Sequence, residues 1–328
     1  MITIVYVLSA CQKEIATTYE GINTIPNGFP AMDIPQDNLF TLERWKLGKK
    51  LFYETKLSLD SSISCASCHK IEFAFSDNID KTPGVFNAPG TRNAPTLTNV
   101  GFQPYFTKEG GIETLEKQVL IPIQEHNEFN FNILDAGIRL NSIEDYKKMS
   151  LQTYSREMDY FVITRALACF ERTIISSNSK YDNFIKLGEP LTESEMNGKN
   201  LFFGNKTNCS SCHGGILFSD FSFHNNGLYA DYEDPGKYRL TQDSSDIGVF
   251  KVPTLRNIEF SSPYMHDGSI TTLKEVILHY NSGGQIHNNK SLLIKPLNLT
   301  EIEINNLESF LQTLSDYTFI TNTNLKNE

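Results

Sequence analysis

The feature that most constrains this chain is a five-residue run that occurs twice, Cys65-Ala66-Ser67-Cys68-His69 and Cys209-Ser210-Ser211-Cys212-His213. Cys-x-x-Cys-His is the attachment signature of c-type haem. The two thiols add across the porphyrin vinyl groups and the histidine ligates the iron. With 6 Cys and 7 His in 328 residues, chance supplies only about 0.002 matches to this signature. A redox Cys-x-x-Cys pair needs no following His, and a zinc site needs four ligands of its own. The runs therefore predict two covalently bound haem c groups, on Cys65, Cys68 and His69 and on Cys209, Cys212 and His213. A chain built around them reads as mostly α, with two tandem cytochrome c-like domains whose haems supply much of each core.

Length and charge agree with that outline. A chain of 328 residues has room for about two domains, each with its own core. The net charge of −10 argues against nucleic acid and favours partners with basic faces. No stretch beyond the N-terminus reaches the length of a membrane span. Cys169 lies in an apolar helical stretch and reads as a buried thiol. The remaining cysteine, Cys11, ends Leu8-Ser9-Ala10-Cys11, which resembles a bacterial lipobox. Residues 1–10 then read as a lipoprotein signal peptide and Cys11 as a lipid anchor, with 11–40 a tether and irregular lead-in. Haem c is built outside the cytoplasm, so the expected compartment is the periplasm or the outer face of a membrane.

The two halves repeat one another. A helix over 42–53 carries Gly48-Lys49-Lys50-Leu51-Phe52 ahead of the first haem motif, and a helix capped by Thr192 carries Gly198-Lys199-Asn200-Leu201-Phe202 ahead of the second. Pro95 to Thr114 is 19 residues and Pro253 to Thr272 is 19, so the halves align there without a gap at an offset of 158. The domains read as 41–180 and 190–320, with a long helix over 158–177, a linker over 178–190, and a last helix opened by the capping box Thr300-Glu301-Ile302-Glu303.

The alignment also exposes an asymmetry. Residues 272–281 form a helical stripe of Leu273, Val276, Ile277 and Tyr280, which puts Tyr280 forward as a sixth ligand of the second haem. His279 and Met265 are the rival ligands. Tyr280 aligns with Pro122, which cannot ligate iron. One iron then reads as closed and suited to electron transfer, the other as open and suited to chemistry. An open iron that handles peroxide needs an acid/base group. Gln118 sits one helical turn before Pro122, and Glu125, His126 and Glu128 follow it. His126 as a sixth ligand would close the site.

With these residues assembled, the chain resembles the bacterial di-haem cytochrome c peroxidase family, which includes the MauG-type enzymes. The resemblance covers about residues 41–315. It is carried by both haem motifs and by Leu47-Gly48-Lys49-Lys50-Leu51-Phe52, Arg92-Asn93-Ala94-Pro95-Thr96, Phe250-Lys251-Val252-Pro253-Thr254-Leu255-Arg256-Asn257 and Pro263-Tyr264-Met265-His266-Asp267-Gly268. It implies a peroxidatic first haem and an electron-transfer second haem. It implies a catalytic glutamate at Glu128 beside Gln118 and Pro122, and a calcium ion between the haems at Asn93, Ser261 and Pro263. It implies hydrogen peroxide as substrate, with electrons from a small donor protein such as cytochrome c or a cupredoxin. The MauG-type alternative uses peroxide to oxidise a partner protein, and a non-catalytic di-haem carrier is a third reading. The chain departs from the family at three points. Gly84-Val85-Phe86-Asn87 stands where many members carry a reversible distal His. Tyr280 stands where those members have Met and MauG-type members have Tyr; a hard anionic ligand stabilises oxidised iron. Lys108 stands where the family has an inter-haem Trp, the only Trp of the chain being Trp45, with Tyr105 and Phe106 as possible substitutes.

Overall fold

The computed structural model describes residues 21–327; the lipobox ending at Cys11 lies outside them. The first half is organised by two crossing helices. Leu42–Phe52 starts at Thr41, whose side chain accepts from the Arg44 N–H, and Tyr160–Glu171 starts at Asp159, whose side chain accepts from the Val162 N–H. They meet at Gly48, where a Cβ would lie 1.9 Å from the Ala166 carbonyl oxygen. The second half is organised in the same way. Glu193–Phe203 crosses Glu301–Gln312 at Gly198, where a Cβ would lie 1.9 Å from the Asn306 carbonyl oxygen. Only glycine permits so close an approach of two backbones. Behind each crossing a phenylalanine pair packs with ring centroids 5.1 Å apart, Phe52 on Phe170 and Phe202 on Phe310. Each pair belongs to a separate buried apolar cluster.

Several sequence expectations hold in detail. Thr192 and Thr300 both form reciprocal capping boxes, with Glu195 and Glu303. Residues Leu273–Ser282 are helical and bury Leu273 and Ile277. Cys169 is buried, and so is Trp45, whose Nε1–H donates to Thr173 Oγ1 at 2.8 Å.

Others need correction. The helix expected over 158–177 spans only Tyr160–Glu171. Beyond it the backbone turns so that the Asn99 side chain accepts from Ser176 N–H and donates to Ser176 O. The expected linker over 178–190 contains the helix Lys180–Leu187, opened by a Ser179–Asp182 capping box and closed by Gly188 at φ 73°. That helix is pinned by Asp182, which forms a two-pronged pair with Arg256, both side chains 1% exposed. The segment that carries Gln118 and Pro122 forms two short helices, Leu115–Gln118 and Leu120–Gln124. Pro122 has no N–H to offer the carbonyl four residues back, which breaks the ladder there.

The ends of the described chain return to the first half or the seam. Phe29 packs on Phe102 with centroids 5.3 Å apart, and Phe319 and Leu325 join the first core. The little sheet present pairs Phe223–His224 antiparallel with Phe250–Lys251, in register Phe223 to Lys251. It lies where the halves meet. There the Lys251 N–H donates to Lys108 O at 2.7 Å, and Arg92 binds Glu109 of its own half and Asp234 of the other. No helix among the described residues is long and apolar enough to cross a membrane.

Candidate functional site

Each Cys-x-x-Cys-His run sits on a short helical turn, Cys65–Cys68 and Cys209–Ser211. The first is opened by Ser64, which shares a reciprocal box with Ser67. His69 Nδ1 lies 2.8 Å from Phe75 O, and His213 Nδ1 lies 3.2 Å from Phe218 O. A carbonyl can only accept, so each Nδ1 carries the proton and each Nε2 is left as the donor for a metal. Burial lowers the pKa of both histidines and so favours the neutral imidazole that ligates. Burial pushes all four cysteine thiols up, Cys68 to about 12. Protonated thiols beside a neutral, oriented imidazole fit covalent haem attachment at both motifs.

The distal side of the first motif is the segment 118–128. Gln118 and Pro122 are half-buried, while Glu125 and His126 are exposed on the turn that follows. The backbone of Glu128 is fixed by hydrogen bonds, its N–H to Glu125 O at 3.0 Å and its carbonyl from Val85 N–H at 2.9 Å. The loop making the second bond is Gly84-Val85-Phe86-Asn87. It approaches so closely that a Cβ on Gly84 would sit 2.1 Å from Asn127 O. Phe86 and Asn87 have left-handed φ of 57° and 55°, and Phe86 is 71% exposed. The Glu128 side chain is exposed, with its carboxyl crowded by the protein around it. Displacement of water, reinforced by Glu125, pushes its carboxyl up to about 7. Its charge acts on both Cys65 and Cys68, so it lies in the neighbourhood of the first motif.

The distal side of the second motif is built around Asn226. Its carbonyl lies 3.1 Å from His279 Nε2, its side-chain amide donates to Met265 Sδ at 3.4 Å, and the same side chain hydrogen-bonds Tyr280. The three candidate ligands are thus gathered by one residue. His279 and Met265 spend ligating atoms on it, and Met265 holds a φ of 75°. Cys209 and Cys212 both act on Tyr280, and burial holds its phenol above the usual range. An adjacent cation would deprotonate it.

Between the halves, Asn93 N–H and Lys108 Nζ both donate to His266 O, at 3.2 and 3.0 Å. The Asn93 amide nitrogen donates to Ile79 O, which leaves Oδ1 free of that bond. Ser261 and Pro263 are buried on either side of a cis Ser262–Pro263 peptide. The Lys108 amine is pushed down to about 7, by burial first and Arg92 second. Trp45 lies deep in the first core, away from this seam. Tyr105 is 41% exposed against Phe223, while Phe106 is buried and bridges to Ile112.

Asn226, Tyr229 and Tyr232 have no part in the sequence expectations, and His266 enters them only as a member of the Pro263–Gly268 run. Their roles come from pairings across the fold, and the one local signal was the turn-forming Asn225-Asn226-Gly227.

Comparison with known proteins shows which family the chain resembles throughout. The family model for di-haem cytochrome c peroxidase matches residues 42–189. The methylamine utilization protein MauG of Methylophilus methylotrophus is 34% identical over 292 residues, covering 88% of this chain and 86% of its own. Cytochrome c551 peroxidase of Nitrosomonas europaea is 32% identical over 276 residues, covering 82% and 79%. The crystal structure of a MauG-like protein associated with microbial copper homeostasis superposes with a TM-score of 0.88 at 32% identity, covering 92% of this chain and 98% of that one.

Proposed function

This chain belongs to the di-haem cytochrome c peroxidase family, and from that premise we propose that its first half reduces hydrogen peroxide to water while its second half receives electrons from a small redox protein. Cytochrome c or a cupredoxin is the expected donor. When bound, the two haems supply the redox chemistry.

The polypeptide supplies the proton chemistry and the asymmetry. Glu128, as carboxylate, takes the proton from peroxide and returns it to the departing oxygen, so that two electrons and two protons yield two waters. An acid/base group works best with a pKa near the operating pH, and a carboxyl at about 7 meets that condition. Gln118 offers an amide donor to the same pocket. Pro122 contributes no ligating atom, and the loop at Gly84–Asn87 holds Glu128 without supplying a histidine. On the other side Tyr280 closes the second site as a phenolate, supported by its electrostatic coupling to Cys209 and Cys212. The observation that carries this reading is the contrast between the two distal sides, a carboxyl over one motif and a phenol over the other. A low-temperature EPR spectrum of the fully oxidised, haem-loaded protein tests it. One high-spin and one low-spin ferric signal is the expected result, and two low-spin signals overturn it.

A second reading has its own support. The phenol at Tyr280 and the histidine-free loop favour a MauG-type enzyme that uses peroxide to oxidise a partner protein. Rapid peroxide turnover with a reduced cytochrome decides for the peroxidase, and refusal of that donor decides for the partner-oxidising enzyme. A non-catalytic carrier needs a side chain to close the first site, and the exposure of His126 counts against it. We further read the two halves as a tandem duplication, on their shared glycine crossings and matched proximal bonds. Calcium fits the seam through Asn93 Oδ1 and the carbonyls of Ser261 and Pro263. These are three of the six to eight oxygens calcium prefers, water supplying the rest. Haem attachment places the working protein in the periplasm or on the outer face of a membrane, and a lipid on Cys11 would hold it there.

A further inference from the structure

Electrons must cross from one half to the other, and Lys108 cannot carry them. The same seam holds a series of rings. Phe250 and His266 stack with centroids 4.2 Å apart and planes 19° apart. Tyr232 lies 6.1 Å from His266, and Tyr229 lies 5.7 Å from Tyr232 and 6.2 Å from His266. The Phe250 end touches the first half, with the Arg92 guanidinium 5.7 Å from its ring centroid and Lys108 Nζ on His266 O. The Tyr232 end is close enough to Tyr280 to oppose its ionisation.

One ring in the series has a base. The Tyr229 hydroxyl donates to Asp267 Oδ2 at 2.6 Å. The Tyr232 hydroxyl donates instead to the neutral amide oxygen of Asn225, at 3.1 Å. A phenol that loses an electron becomes a strong acid, so the ring that can also shed its proton is the one on which oxidation comes to rest. Burial works against ionised Asp267, but the hydrogen bonds from Tyr229 and Ser269 win and hold its pKa below the carboxylate range. Burial and Asp267 together raise the Tyr229 phenol. Before oxidation the proton therefore belongs to Tyr229, and Asp267 is ready to receive it.

We propose that Tyr229 is a redox-active tyrosine that gives one electron, through Tyr232, His266 and Phe250, to the haem pair once peroxide has oxidised that pair, while its phenolic proton passes to Asp267. This deepens the peroxidatic reading and rests on it. The Tyr229 O–H bond breaks and an O–H bond forms on Asp267. Tyr229 is oxidised by one electron and the haem pair is reduced by one. Tyr229 is half-buried, so an electron-rich aromatic or a redox protein outside can restore the electron.

The experiment mixes haem-loaded diferric protein with equimolar hydrogen peroxide, freezes it within seconds and records EPR and optical spectra. A narrow organic radical is expected, reshaped by growth on ring-deuterated tyrosine. It is expected to vanish in Tyr229→Phe, and to fall several-fold in Asp267→Asn, while the haem bands of both variants still respond to peroxide. Trapping the radical and locating the adduct by mass spectrometry is expected to mark Tyr229. The proposal is overturned if the haems react but no radical forms, or if the radical survives unchanged in Tyr229→Phe. Haems that do not respond to peroxide at all overturn the peroxidatic reading beneath it.

Discussion

The two halves of this molecule agree on the proximal side of each haem motif and part company on the distal side. Each half crosses two helices at a glycine with no room for a Cβ, and each hands its histidine Nδ1 to a carbonyl a few residues on. Each holds an asparagine in the left-handed region ahead of a short turn, Asn99 at 58° and Asn257 at 61°. Each then closes a small bridge, Phe106 to Ile112 and Tyr264 to Ile270. Near the first motif, however, stands an exposed carboxyl, and near the second a half-buried phenol. The likeness thus lies in the scaffold around each motif, and the difference lies in the segments 118–128 and 272–282.

That comparison can be broken at its distal end first. Glu128→Gln is expected to slow the reaction with peroxide by roughly 10²–10⁴-fold with both haem spectra unchanged, measured by stopped flow. In the parent protein the rate is expected to rise with pH through about 7, where Glu128 loses its proton, and the variant is expected to lose that dependence. Tyr280→Phe is expected to convert the second haem to a high-spin EPR signal and leave the first alone. An unchanged spectrum would return the ligand to His279 or Met265.

The scaffold offers smaller effects. Arg256→Met leaves Asp182 buried without its partner and is expected to cost about 3–5 kcal/mol, read from denaturant unfolding. The sign with pH follows from Asp182. Burial would raise its pKa, but the Arg256 pair outweighs that and holds it low. Its contribution is present above the unfolded carboxylate range and lost as the pH falls through the lower folded value, so the deficit of the variant should narrow in acid. Gly48→Ala and Gly198→Ala each force a methyl against a carbonyl and are expected to cost about 1–3 kcal/mol. Equal losses would sharpen the likeness of the two crossings. Unequal losses would show that one half leans on its crossing more than the other.

Much of this was legible in the sequence because it is local or periodic. The haem motifs are contiguous, the caps at Thr192 and Thr300 are three-residue patterns, and Pro122 opposite Tyr280 follows from a constant offset. The same offset pairs Lys108 with His266, which turn out to touch across the seam. The helix Lys180–Leu187 was legible in principle, from Ser179, Asp182 and Gly188. At only eight residues it reads as a linker until the Arg256 pairing, 74 residues away in the chain, is known. The break before Pro122 was a plain consequence of proline chemistry. Asn226 and the ring stack could not be read, since each draws its meaning from partners distant in the chain.

The gathering around Asn226 has a consequence for how such a protein can change over time. A thioether, an imidazole and a phenol converge on this one residue, yet His279 and Tyr280 are neighbours on the helix Leu273–Ser282 and face about 100° apart. Exchanging one of them for the other as donor would require that helix to turn, whereas a substitution at Asn226 disturbs all three side chains at once.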